Sequence, residues 1–344
     1  MRAQFFFRVF VRSLAVVLFC FTVTIAILAA YGYRFDFSGQ RLQPTGIIRI
    51  PGTYPEVSVL LDGTMLAKSL PTDISGVSEG FHRLEIVKKG FLPWRQDISV
   101  SRGMISSAPS VILIPDDLQA QFQDTISLKS FFSQPIRLVS ANKEYLVVST
   151  QSGSYWLIDI TKKKKHFLST PKNLDDLSLF LEEGMGYAFR ASILTTLSLD
   201  IAARRISLSG EQPFPYDRKD LRFLQFSSDF QEFLYVKNSE ILSMRLNVPE
   251  SQKLFTRFAE PIYGISWIFD HEHFVVHVGE TLQFCDAGFH NCYLLSTIKP
   301  EDSFSISREG VFIFEHLSQK VRFLPLLSGE HTFLSYIFSE QVSL

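Results

Sequence analysis

From Ile136 to Ser169 the chain reads IRLVSANKEYLVVSTQSGSYWLIDITKKKKHFLS. Four apolar runs of strand length, IRLVS, EYLVVST, SYWLIDI and HFLS, are separated by turn residues. Similar foursomes recur downstream, with units beginning near Ile136, Leu177, Arg222, Ile262 and Phe304. The third unit reads LRFLQF, EFLYV, EILSMRL, KLFTRF. The fourth reads YGISWI, HFVVHV, TLQFCD, CYLLST, and the fifth SFSIS, GVFIFE, KVRFLPL, HTFLSYI. The second fits least well, its second run falling at 186–190. Polar turns precede the second runs, at Asn142-Lys143, Ser228-Asp229, Asp270-His271 and Arg308-Glu309. Third runs end near an acid at Asp159, Asp200 and Asp286. The spacing amounts to a repeated β-array with a period of about 40–45 residues.

That period predicts a β-propeller-like domain over residues 135–344, with five blades filling the space to Leu344. It resembles the WD40-like or YWTD-like propellers in general type only, because neither signature tetrad is present. A six-bladed ring borrowing strands from 119–134, or a pair of β-sandwiches, are the rival architectures. The 33 phenylalanines fall mostly in these runs, which suits packing between blades and requires no cofactor. Lys162 to Lys165 reads as a solvated turn.

Upstream, Ser13 to Tyr33 (SLAVVLFCFTVTIAILAAYGY) holds no charged residue. A helix of about 20 apolar residues spans a hydrocarbon core about 30 Å thick. Arg2, Arg8 and Arg12 precede it, and no acid occurs before Asp36. The positive-inside bias therefore predicts a cytoplasmic N-terminus (1–12), a transmembrane helix (13–33) and an extracytoplasmic remainder. Tyr31, Tyr33 and Phe5 to Phe7 suit the two interfaces. A cleavable signal peptide is the rival, but its apolar core is shorter, about 7–15 residues, and Ile27 and Leu28 stand where a small residue is wanted. Cys20 reads as lipid-facing.

Residues 34–44 read as a linker. From 45 to 115, short apolar runs alternate with turns, without helical period. Gly46–Pro51 and Val57–Leu61 are strands, Asp62-Gly63 is a tight hairpin turn, and Pro71 lies in a loop. Phe81–Lys88 alternates with Leu84 and Ile86 on its apolar face. Lys89-Gly90 is another turn, and Trp94–Val100 and Ser110–Ile114 complete about six strands of a small β-sandwich. His82 reads as an ordinary strand residue, satisfied by a neighbour. Residues 116–134 read as a linker or an incoming strand.

The pattern over 45–115 resembles the PEGA domain. Pro51-Gly52 matches the family's opening, VSVLLDG its valine strand and Asp62-Gly63 turn, and Pro71 its Thr-Pro loop. Gly80, His82, Lys88, Gly90, Phe91 and Trp94 match the Gly-x-His strand and its closing Lys-x-Gly-aromatic turn. Tyr54-Pro55-Glu56 replaces the usual small pair, and Phe91 stands where Tyr is typical. The resemblance implies a surface or envelope protein of a bacterium or archaeon, and it implies no catalytic residue.

Little chemistry is visible. Ser227 to Phe233 approximates an Asp-box without its Gly and Trp, and reads as a turn. Asp270-His271-Glu272-His273 with His277 is the densest ligand-like group, but His273 and His277 stand about 13 Å apart along a strand. No nucleophile elbow, phosphate loop or paired CxxC occurs. Cys285 and Cys292 flank a turn. In an oxidising compartment they could bridge, with two free thiols or zinc with His290 as alternatives. Formal net charge is -1, which argues against a nucleic-acid partner. The expectation is a non-enzymatic membrane-anchored display protein, without catalytic, cofactor-binding or metal residues. Its head binds another protein or a wall polymer. An extracytoplasmic hydrolase with carboxylates at the channel mouth, and a passive structural component, are the alternatives.

Overall fold

The computed structural model describes residues 2–36, 41–172, 174–181, 183–190, 192–217, 221–227, 230–268, 272–286, 291–307 and 309–326. They divide into two compact units. One holds residues 1–89 and 93–112, the other 90–92 and 113–344.

The first unit opens with helix α1 (Arg2–Ala30). Its segment Arg12–Ala30 has a mean hydropathy of 2.6 and is long and apolar enough to cross a membrane, a test a signal sequence also meets. Thr22 and Thr24 donate their hydroxyls to the carbonyls of Phe19 and Cys20, the way polar side chains are satisfied where water is absent.

Eight strands follow: β1 (Tyr33–Asp36), β2 (Arg41–Ile50), β3 (Pro55–Leu61), β4 (Thr64–Ser69), β5 (Thr72–Ser78), β6 (Gly80–Val87), β7 (Trp94–Val100) and β8 (Ile105–Ser107). One sheet runs β1-β2-β5 with β8 alongside β2, and the other runs β4-β3-β6-β7. Ile48, Ile50, Val59, Leu84, Ile86 and Trp94 are all at most 1% exposed and form the core.

Two expectations are corrected here. Residues 34–44 are not a free linker, because β1 pairs with the start of β2, Tyr33 opposite Pro44. Ser110–Ile114 is not a strand, although Val111 to Ile114 are buried. The short strand is β8, which the polar run Ile105–Ser107 does not announce.

The second unit begins with α2 (Leu118–Gln121) and β9 (Gln123–Ser127). Four antiparallel sheets follow in sequence order. The first is β10 (Ile136–Ala141), β11 (Tyr145–Thr150), β12 (Tyr155–Asp159) and β13 (Lys164–Leu168). The second is β14 (Asp175–Phe180), β15 (Met185–Arg190), β16 (Ile193–Asp200) and β17 (Arg205–Pro213). The third is β18 (Arg222–Phe226), β19 (Glu232–Lys237), β20 (Glu240–Arg245) and β21 (Val248–Arg257). The fourth is β22 (Ile262–Trp267), β23 (His273–Val278), β24 (Thr281–Asp286) and β25 (Cys292–Thr297). The fifth sheet is β26 (Ser303–Ser307), β27 (Gly310–Glu315), β28 (Lys320–Pro325) and then β9. The expected fourth run of the last unit, 331–337, lies outside the described residues. Its place beside β28 is taken by β9, so residues 119–134 complete the fifth sheet rather than start a sixth.

Burial follows strand position. Second strands are buried on both faces: every residue of β23 and all but the last of β27. Such strands read as continuous apolar runs. Fourth strands such as β21 are largely exposed. Apolar clusters join the first sheet to the second, the second to the third, the third to the fourth, and the fifth back to the first. β22 lies against β26, linking fourth to fifth. The result is a propeller-like array. Aromatic rings sit where sheets meet: Tyr187 of the second sheet and Phe226 of the third have centroids 4.9 Å apart, and Phe214, just after the second sheet, lies 5.7 Å from Phe233 of the third.

Candidate functional site

The first strands β10, β14, β18, β22 and β26 contribute to the wall of one cavity of about 780 Å³. Each first strand turns alternate side chains toward the sheet core and toward the cavity. In β10, Ile136 and Leu138 are buried while Arg137 and Val139 are not. The lining mixes apolar Leu177, Leu224, Ile306 and Phe304 with the small hydroxyl residues Ser178 and Ser266. Toward the N-terminal ends of these strands the lining becomes charged, with Arg137, Asp176, Arg222, Glu301 and Asp302.

These charges are not equally available. Asp302 accepts backbone N–H bonds from Lys299 (2.9 Å) and His316 (2.8 Å), so its carboxylate braces two loops. The Arg137 side chain is exposed and has no hydrogen bond or ion pair among the described residues. Arg222 lies over the Phe223 ring at 5.1 Å. Tyr155 also lines the cavity. Burial raises the affinity of its phenol for its proton, Arg137 opposes this, and Asp176 and Asp175 reinforce it.

His277 is the histidine of this lining. It is 1% exposed, lines the cavity, and packs beside Tyr263 with ring centroids 5.2 Å apart. One ring nitrogen bonds the Gly279 backbone while Nε2 has no hydrogen-bond partner among the described residues. Burial lowers its pKa, opposed by the Gly279 bond and by Asp302. The side chain is thus held neutral at neutral pH, with an unsatisfied nitrogen at a polar cavity wall. Ser303 Oγ, in the same lining, is likewise buried without a partner. Unmet buried polar groups are uncommon and mark places where water or a ligand completes the bonding.

Of the histidine group singled out by sequence, His277 lines the cavity and His273 does not. His273 stacks on Phe284 at 5.2 Å. His271, His290, Asp270, Ser228 and Asp229 lie outside the described residues. No group of three potential metal ligands occurs among the described residues. Cys285 and Cys292 face each other across β24 and β25 and are bridged, with Cα atoms 4.2 Å apart. Asp159, Asp200 and Asp286 prove to be turn caps: each carboxylate accepts a backbone N–H just beyond its strand, from Lys162, Ala203 and Asn291. Lys162 pairs with Asp159 at 3.0 Å, and Lys165 bonds the Phe131 carbonyl and lies over Trp156. Two of the four lysines therefore have structural partners.

In the first unit, Asp62 and Gly63 both have positive φ (50° and 79°) and close the β3–β4 hairpin. His82 Nδ1 lies 2.7 Å from Asp62 Oδ2, and Nε2 lies 2.7 Å from the Ser78 carbonyl. Pro51 and Gly52 follow β2, Pro71 joins β4 to β5, and Gly80 opens β6. Lys88 lies over the Tyr54 ring at 5.8 Å, and Trp94 is 1% exposed. Gly90 and Phe91 belong to the second unit, where Phe91 bridges to Pro115. Arg2, Arg8 and Arg12 all lie within α1.

Sequence reasoning missed Arg137 and Arg222, and weighed His277 only as a metal ligand beside His273, not as a cavity residue. The available signal was an arginine near the start of two first runs, IRLVS and LRFLQF.

No family model matches the chain, and no curated protein matches it. Among solved structures it is similar to Kluyveromyces lactis Hsv2 with loop 6CD replaced by a Gly-Ser linker. That match has 10% identity, covers 68% of this chain and 85% of that one, and has a TM-score of 0.32. A structural-genomics protein of unknown function from Bacteroides thetaiotaomicron is similar at 8% identity, covering 85% and 91%, TM-score 0.32. The N-terminal domain of Nup159 is similar at 15% identity, covering 43% and 40%, TM-score 0.25.

Proposed function

We propose that this chain is a single-pass membrane protein of a bacterial or archaeal envelope, whose propeller-like head binds a partner without catalysing a reaction. The N-terminus lies in the cytoplasm and both folded units lie outside. The first unit is a PEGA-like domain, and the second is a closed five-bladed ring in which β9 latches the last blade. An uncleaved anchor is supported by the junction: α1 continues to Ala30 and β1 begins at Tyr33, which leaves a peptidase almost no extended chain to enter.

The observation that carries the binding reading is the cavity walled by first strands of all five sheets. It joins two arginines, neither with a carboxylate partner among the described residues, to the buried Nε2 of His277, which has no hydrogen-bond partner among them. A hydrolase of this architecture needs carboxylates from several blades acting together. Here the acids are Asp176, Glu301 and Asp302, and Asp302 is occupied by its backbone donors. The partner is another protein or a wall polymer that presents anionic and hydroxyl groups to the mouth; nucleic acid is not expected.

A photo-crosslinking residue at Arg137 or Ser266 tests this on intact cells. A discrete adduct is expected from these positions, and none from Lys253 on the outer strand β21. No adduct from the mouth, with the head still accessible to added protease, overturns the binding reading. A partner recovered in cleaved form overturns the non-enzymatic one.

A further inference from the structure

The end of α1 is built into the first unit. Thr45 donates both its N–H (2.6 Å) and its hydroxyl (3.0 Å) to the Gly32 carbonyl, and Gly103 N–H donates to Thr45 O at 2.9 Å. Gly32 has φ 78°, and a Cβ there would stand 2.6 Å from Gly103 N, so only glycine fits. Arg102 donates to the Tyr33 hydroxyl at 2.6 Å and lies over its ring. The helix therefore delivers one particular end of the sandwich to whatever surface the helix enters.

Strand register defines that end. Thr45 lies opposite Ser78, Phe81 opposite Ser99, and Ile47 opposite Ile105. Exposed apolar side chains gather there: Phe81 (83%), Tyr31 (68%), Met104 (62%), Ile105 (54%), Phe35 (50%) and Leu42 (49%). Large exposed apolar groups in one place mark an interaction surface. Arg34, Arg41 and Arg102 are exposed among them; the acids nearby are exposed Glu79, Asp36 opposite Arg41 in the β1–β2 register, and Asp62 bonded to His82. Aromatic and basic side chains at the end of an apolar helix are the composition of a headgroup-level belt.

We infer that this end of the first unit is a lipid-docking face, which seats the sandwich on the outer leaflet of an anionic membrane. This rests on the reading of α1 as an uncleaved anchor. The occupant is fixed by continuity: the face surrounds the point where the apolar helix leaves the domain. Phe81 and Met104 enter the interface, and the three arginines meet lipid phosphates.

The test uses the full chain carrying Cys20→Ser, with Cys285–Cys292 kept oxidised, in nanodiscs with about one-third anionic lipid. An environment-sensitive fluorophore is placed at Met104→Cys, Phe81→Cys, Ile25→Cys or Thr53→Cys, one at a time. Spin-labelled lipids quench it. Labels at 104 and 81 are expected to be quenched severalfold more by a shallow spin label than by a deep one, and the label at 53 by neither. A label at 104 as unquenched as that at 53, while that at 25 is quenched, overturns the docking face and leaves the anchor standing. A label at 25 that is not quenched overturns the anchor itself. In neutral lipid, shallow quenching at 104 is expected to fall at least twofold, and no fall removes the arginines from the proposal.

Discussion

The Asp62–His82 pair shows how much one turn residue can carry. Asp62 occupies a left-handed position, which Asp tolerates better than most residues. Its Oδ1 accepts the Arg83 N–H at 2.9 Å while Oδ2 meets His82. Partial burial raises its pKa, but the His82 bond, the Arg83 N–H and the histidine's charge outweigh this and hold it below the usual carboxylate value. A carboxyl with a depressed folded-state pKa adds stability above its unfolded value, and that stability is lost as pH falls through the folded one. Asp62 is 54% exposed, so screening keeps the gain below about 1 kcal/mol. Asp62→Asn is therefore expected to destabilise the first unit modestly at pH 7 and to flatten its acid loss below about pH 4. Denaturant titrations of both proteins between pH 2.5 and 7 check this, and parallel curves would refute it. The motif that drew attention to His82 was legible in sequence. Its contact with Asp62 was not, because the two are joined only by the pairing of β3 with β6.

At the scale of elements, β9 is decisive. It is the outer strand of the fifth sheet, pairing with β28 through Ile126 opposite Val321. Ile126 packs on the cluster that joins the last sheet to the first. Ile126→Ala is expected to cost the second unit about 2 kcal/mol. Leu294→Ala, on the outer strand β25 and 53% exposed, should stay within about 0.5 kcal/mol. Urea unfolding of the two variants compares them, and equal costs would mean that β9 does not latch the array. The contrast between strands also explains what sequence revealed. Second strands such as HFVVHV and GVFIFE are sandwiched between neighbouring sheets, so their apolar runs are unbroken and the period stands out. Outer strands touch one neighbour and face water, so QDTIS carries no comparable pattern, and its partner lies about 190 residues away along the chain. β1 was hidden for a different reason, since four residues beside an apolar helix offer no alternation to read. The cavity was invisible because its wall is assembled from short stretches of five strands that lie far apart in sequence.

At the scale of the whole molecule, the two compact units hold their stabilising devices separately. The first has the Asp62–His82 turn, whereas the second has the disulfide and the β9 latch. The Cys285–Cys292 bridge spans 7 positions in sequence, and closing so short a loop restrains the unfolded chain by about 2.5 kcal/mol. Unfolding should therefore show two transitions with independent responses. Reduction, or Cys285→Ser with Cys292→Ser, should lower only the transition that Ile126→Ala also lowers. Acidification should lower both, because Asp62 in the first unit and Asp159 in the second are each held below the usual carboxylate value, and Asp62→Asn should blunt the response of the first alone. Residue-resolved hydrogen exchange on the detergent-solubilised full chain assigns each transition to its unit. If reduction and acid shift a single cooperative transition together, the two units fold as one body, and the second is not an independent module.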